Sequence, residues 1–160
     1  KGVEEAQSSS PMIRALPNPP LQAPSPDNLV TCFTDASWKP ENKACLGWLF
    51  KDRQNCIVRQ GSTLLSFVLS PLMAEALATL TAIRVANELA FIHISFASDS
   101  LTLIKALNLK LQLKELHGIL HNILSISALF SFCSFNSIYR ECNRQADVVA
   151  KAALFSCTDA

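Results

Sequence analysis

The sequence predicts an α/β fold: a five-stranded mixed sheet, made of an antiparallel three-strand meander plus parallel strands, flanked by helices. Three observations predict it. Strand-like runs at Leu29–Asp35, Ala44–Lys51 and Cys56–Ser62 follow one another across short turns, as a meander requires. Later strand-like runs at Phe91–Ala97 and Ser131–Tyr139 each come after helical segments, which return a strand parallel to a neighbour by a right-handed crossover. Composition supports one packed core, with 49% hydrophobic and 17% charged residues over a 160-residue chain.

In chain order, residues 1–28 read as a proline-rich linker or disordered tail. They hold six of the eight prolines, among serines, and such a composition stays extended. The first residue is Lys1 and not Met, which is expected of a piece of a longer chain. The domain is expected over 29–157. The first strand, Leu29–Asp35, ends on a carboxylate; Ala36 and Ser37 are turn-compatible, and Lys39–Lys43 is a turn. Ala44–Lys51 is the second strand, Asp52–Asn55 a tight turn and Cys56–Ser62 the third strand. Pro71 opens a helix through Leu89, with Met73, Ala76, Leu77, Leu80 and Ile83 at helical spacing. Phe91–Ala97 is the fourth strand. Ser98-Asp99-Ser100 caps a short helix through Leu107, and Glu115–Leu129 is a further helix. Ser131–Tyr139 is the fifth strand, and Asn143–Phe155 the last helix with Asn143 as its N-cap.

Several function classes are excluded or disfavoured. The net charge of +1 gives no strong electrostatic footprint for nucleic acid, although a local basic face is compatible with it. The six cysteines form no CxxC pair and mostly lie in apolar runs, so an intracellular, reducing setting is expected, with nucleus and cytoplasm not distinguished. No apolar run reaches the roughly 18 residues a membrane helix needs, so no membrane partner is expected. There is no GxGxxG, P-loop or nucleophile elbow. His117 and His121 stand one turn apart, but the intervening Gly-Ile-Leu lacks the glutamate of a zinc-protease helix, and an ordinary helix face is the commoner reading. Lys39, Lys43, Lys51, Arg53 and Arg59 could track phosphates or form a solvated face, while Trp38 and Trp48 are more often core than stacking residues.

The chemistry gathers around four acids. Asp35 and Asp99 end two strands; if these are parallel neighbours, both carboxylates lie at the edge where open α/β sheets bind ligands. Glu75 falls in the first turn of the Pro71 helix. Asp147 lies one turn after Asn143, so the two face the same way. Singly, each has an ordinary reading: a turn starter, a dipole-favoured acid, a cap, and one half of an i,i+4 pair with Lys151. Jointly, four converging carboxylates repel one another, and a divalent cation removes the repulsion. An oxygen-only ligand set favours Mg²⁺ or Mn²⁺, and two such ions can clamp an in-line phosphoryl displacement.

At these residues the sequence resembles a known family. TDASW (34–38), MAEALATLTAI (73–83), ASDSLTLIKAL (97–107) and REC-NRQADVVAKAAL (140–154) look like the four motifs of the ribonuclease H type I domain, in order. The variety is similar to the plant ribonuclease-H-like domain of non-LTR retrotransposon polyproteins. The resemblance covers about residues 29–157. It implies a ribonuclease H-like fold and an endonuclease that hydrolyses the RNA strand of RNA–DNA hybrids, leaving a 3′-hydroxyl and a 5′-phosphate. It also implies a reverse-transcriptase polyprotein context or a stand-alone domain. By the resemblance, Asp35, Glu75, Asp99 and Asp147 are the catalytic metal ligands, with Asp35 bridging two Mg²⁺ ions for which Mn²⁺ substitutes. Asn143, Ser37 and Arg140 are the implied substrate-binding residues. The loop Tyr139–Cys142 carries no histidine where better-known members have one, and only about Asn108–Gln112 stands where some have a basic protrusion. An inactive or weak nucleic-acid-binding module of the same fold is the alternative.

Overall fold

The computed structural model describes the backbone of residues 27–158 and the side chains of 27–154. The expected linker over 1–28 lies outside the described residues, apart from Asp27 and Asn28. The sheet has five strands, β1 (Val30–Lys39), β2 (Lys43–Lys51), β3 (Ile57–Ser66), β4 (His93–Ser98) and β5 (Phe132–Ser137). Their order is β3-β2-β1-β4-β5. β1–β2 and β2–β3 pair antiparallel; β1–β4 and β4–β5 pair parallel. The helices are α1 (Pro71–Glu88), α2 (Leu101–Leu109), α3 (Ile119–Ser127) and α4 (Arg144–Thr158).

Strand alternation divides the packing. On β1, Val30 and Cys32 belong to the main core, with Ala36 and Trp38 packed on it. The alternate residues Phe33, Asp35 and Ser37 therefore point to the opposite face. The main core joins Leu46, Phe50, Ile94 and Phe96 of the sheet to Ile83, Leu103, Leu107, Leu116 and Ile123 of the helical layer. On the opposite face, α4 lies over β2, where Ala146, Ala150 and Ala153 are buried. β2 is thus covered on both sides, and its residues are buried continuously from Ala44 to Phe50. Gly47 makes the close approach possible: a Cβ there would stand 2.4 Å from the Ala150 amide nitrogen.

Several boundaries differ from expectation. β1 does not stop at Asp35. Pairing with β2 carries it to Lys39, so Ala36 and Ser37 are strand residues and the turn narrows to Pro40–Asn42, with Asn42 at φ +62°. β3 likewise extends to Ser66 because β2 continues to offer partners. The helix expected over Glu115–Leu129 is broken. A 3-10 turn, Lys114–Leu116, precedes Gly118 at φ +87°, a conformation glycine supplies freely, and α3 starts only at Ile119. β5 is shorter than Ser131–Tyr139, and Arg140–Cys142 forms a 3-10 turn before α4. The tryptophans are structural. Trp38 Nε1 donates to the Val68 carbonyl at 2.8 Å, and the Trp48 indole lies across Gly61, its partner on β3.

Candidate active site

The β1–β4 ladder ends at Phe33–Ala97, while β1 runs on alongside β2. Asp35 therefore sits inside a strand yet just past the point where its parallel neighbour stops. It is 6% exposed. This corrects the expectation that it ends the strand; the notch comes from β4 stopping early. Beyond β4 the chain turns through Ser98-Asp99-Ser100. Ser98 Oγ accepts from the Ser100 amide at 3.1 Å, and Ser100 Oγ caps α2 by accepting from the Leu103 amide at 3.4 Å. The serines do the capping, which leaves the Asp99 carboxylate for the notch.

Glu75 comes from α1. Ser70 caps this helix, accepting from the Met73 amide at 3.1 Å, and Pro71 takes the first position. Glu75 consequently lies in the second turn, and the first turn holds no acid. A helix-dipole role is thus a poor account of it. Single ligand oxygens of Asp35, Glu75 and Asp99 lie within 4.8 Å of one another. Asp147 stands in the first turn of α4, outside that trio; its Oδ2 pairs with Lys151 Nζ at 3.1 Å.

The electrostatics match the crowding. Burial, the charge of Asp99 and a hydrogen bond of its acid form to Asp147 push Asp35 up to about 7. Burial, followed by the charges of Asp35 and Asp99, pushes Glu75 up to about 9, against a smaller opposing pull from the Arg140 guanidinium. Glu75 Oε1 is buried with no hydrogen-bond partner among the described residues. An orphaned carboxylate oxygen beside two other acids is the arrangement a hard divalent cation satisfies, and every donor in the trio is oxygen. The residues therefore fit such an ion.

Asn143 ties the pieces together. It is 1% exposed, and its Nδ2 donates to the Thr34 carbonyl at 2.8 Å and to Asp99 Oδ2 at 3.4 Å. Among the described residues its Oδ1 has no partner, so the side chain does not cap α4 as expected; the amide is spent on fixing β1 and Asp99. Ser37, Arg140, Arg144 and Lys151 join Asp35, Asp99, Asn143 and Asp147 around a cavity of about 230 Å³. The sequence reading missed Arg144 and Lys151 as parts of this wall. For Lys151 the signal was spacing, one helical turn after Asp147 on α4; Arg144, the first residue of α4, carried none. The histidines lie elsewhere. His117 and His121 are exposed and separated by the Gly118 break, and His93, at the start of β4, bonds the Asn28 side chain. Among the described residues no helix is long and apolar enough to cross a membrane.

Comparison with known proteins follows the same lines. A sequence profile of the family described as reverse transcriptase-like matches residues 33–153. The fold is similar to that of RNase H1 from the halophilic archaeon Halobacterium salinarum, at a TM-score of 0.74 and 22% identity, covering 80% of this chain and 98% of that one. It is also similar to LC11-RNase H1, solved in complex with an RNA/DNA hybrid, at a TM-score of 0.73 and 17% identity, covering 81% and 99%. The protease-reverse transcriptase of a foamy virus, solved with an RNA/DNA hybrid, matches at a TM-score of 0.65 and 17% identity, over 87% of this chain and 22% of that one. No curated protein matches by sequence.

Proposed function

Because this chain belongs to the reverse transcriptase-like family, we propose that it is a ribonuclease H: a metal-dependent endonuclease that hydrolyses the RNA strand of RNA–DNA hybrids. The observation that carries the reading is the convergence of Asp35, Glu75 and Asp99 within 4.8 Å, with an orphaned Glu75 oxygen among them. The family, the fold and the all-oxygen ligand set support it together. A polyprotein context beside a reverse transcriptase, of the plant retrotransposon kind, extends the same reading.

In the reaction, a water oxygen bonds to phosphorus as the bond from phosphorus to the 3′-oxygen breaks, leaving a 3′-hydroxyl and a 5′-phosphate. Two Mg²⁺ ions, or Mn²⁺, held by Asp35, Glu75, Asp99 and Asp147 would supply charge that activates the water and stabilises the leaving oxygen. By the family resemblance Asp35 would serve both ions. Asn143 holds Asp99 against β1 and lies at the cavity that receives the phosphate. Ser37 offers a hydroxyl and Arg140 a permanent positive charge on the same wall. The 3-10 turn at Arg140–Cys142 carries no histidine in the place where better-known members have one. Turnover is therefore expected to be slow relative to an enzyme with that histidine.

Cleavage of a labelled RNA–DNA hybrid in Mg²⁺ or Mn²⁺ tests the proposal. Asp35→Asn is expected to lower the rate by at least about 10²–10³-fold, because it removes a charge that organises the site. Full activity in Asp35→Asn would sink the reading. Hybrid binding without cleavage by the pure, folded protein would favour the inactive binding module. Calorimetric titration that finds no divalent ion bound at millimolar concentration would exclude the metal-dependent enzyme. Parallel assays with double-stranded RNA and DNA define the substrate.

A further inference from the structure

Phe67 is the most exposed large hydrophobic side chain among the described residues, at 88%, and its φ is +63°. A bulky side chain rarely adopts that left-handed conformation. The neighbours explain how the conformation is imposed. Val68 is buried; its amide donates to the Asn42 carbonyl at 2.9 Å, and its carbonyl accepts from Trp38 Nε1 at 2.8 Å. Three residues after Phe67, Ser70 caps α1. The chain is thus pinned on one side of Phe67 by β3 and on the other by Val68, and Phe67 is turned outward between them. Nothing in the fold calls for a phenylalanine there: glycine meets the backbone need without strain, and a polar residue meets the solvent.

The surroundings indicate what the ring meets. Ser66, the preceding residue, pairs with Lys43, and Lys43 closes the β1–β2 hairpin opposite Lys39. The hairpin tip belongs to the same end of the sheet as the acids: β1 covers Asp35 to Lys39 in four residues, about 13 Å. Glu75 lies on the helix that starts four residues after Phe67. An exposed ring one residue beyond the Ser66–Lys43 pair, at a hairpin end that carries Lys39 and Lys43, suits a nucleic-acid strand, the ring taking a sugar or base face and the lysines the phosphates.

We propose that Phe67, next in the chain to the Ser66 that pairs with Lys43, is a substrate-positioning residue whose ring packs against one strand of the nucleic acid on the hairpin side of the acidic cavity. The inference rests on the nucleic-acid reading above. The ring touches no reacting atom; it sets where the duplex lies across the site.

Fluorescence anisotropy of a labelled RNA–DNA hybrid in Ca²⁺ tests it, with thermal melting and cleavage kinetics on the same proteins. Phe67→Gly relieves the backbone and is expected to raise Tm by about 2–4 °C. The same variant is expected to bind the hybrid about 5- to 30-fold more weakly, with KM raised and kcat retained. Phe67→Tyr keeps the ring and is expected to bind as the natural protein does. Natural affinity in a folded Phe67→Gly protein overturns the inference and leaves the ribonuclease reading intact. So does an unchanged affinity accompanied by loss of self-association in sedimentation, which would mark the ring as a protein contact. Failure of the natural protein to bind hybrid, double-stranded RNA or DNA overturns both readings.

Discussion

The two faces of the sheet are packed to different ends. Toward α1, α2 and α3 the side chains are large. Phe96 stacks on Phe135 with ring centroids 5.7 Å apart, Phe50 meets Phe91 at 5.3 Å, and the buried hydroxyls of Thr34 and Thr79 pair with each other. Toward α4 the side chains are small: Gly47 lies beneath Ala150, and the helix approaches the strand almost backbone to backbone. Asp35 stands opposite Gly47 in the β1–β2 ladder, and Asp147 precedes Ala150 by three residues. Closeness at Gly47 therefore brings Asp147 beside Asp35. Bulk stabilises the first face. Thinness sets Asp147 beside Asp35 on the second; with Glu75, which α1 brings in, these acids oppose folding through burial and mutual repulsion. The part of that face over β4 and β5, which α4 does not reach, is polar; Ser95, Ser134 and Asn136 bond one another there at 2.7–3.2 Å.

The contrast can be broken most severely on the large-residue face. Phe96→Ala empties a side chain that is 1% exposed, and it is expected to cost about 3–5 kcal/mol in chemical denaturation. Gly47→Ala tests the thin face. Its Cβ forces α4 outward, with an expected cost of about 1–3 kcal/mol. Because it moves Asp147, activity in the folded protein should fall by about 10²-fold, which the Phe96 variant, if still folded, should not match. A Gly47→Ala protein with natural activity would show that α4 does not set the acid geometry.

The pH dependence of melting sharpens the same contrast with a smaller effect. Both Asp35 and Glu75 have folded-state pKa values raised above their unfolded ones, so the folded protein binds more protons between them. Their contribution to stability is fully present below the unfolded carboxylate range. It is lost as pH rises through about 7 for Asp35 and about 9 for Glu75. Without divalent ions, Tm is expected to fall from pH 5 to pH 9. Millimolar Mg²⁺ should flatten the fall by binding the ionised acids. Asp35→Asn should flatten it in the absence of metal. A Tm that rises over this range in metal-free buffer would contradict the raised values.

Much of the site was legible because each acid stands next to a strong local signal: a β-rich run before Asp35, a proline before Glu75, a serine pair around Asp99, an asparagine before Asp147. What local pattern misread was the role of each signal. The β-rich run alone ends its strand on Asp35, but pairing with β2 continues it to Lys39. Asn143 reads as a cap, but its amide bonds Thr34 and Asp99. The helical pattern puts Glu75 one turn too early. Gly118 lies inside a long helical pattern, though a glycine is the commonest residue to adopt the φ that breaks it there.

The sequence by itself determined the element order and the mixed sheet and singled out four acids as candidates, since these follow from hydrophobic period, turn chemistry and residue type, all local properties. Tertiary structure decided which acids meet. Asp35, Glu75 and Asp99 come within ligand distance because β4 stops short of Asp35 and α1 starts at Pro71, while Asp147, paired with Lys151, stands beside Asp35 outside that trio. It also decided that Arg144 and Lys151 wall the cavity and that Phe67 faces outward in a left-handed conformation. Those outcomes depend on pairing and packing between residues distant in sequence, which no window of neighbouring residues contains.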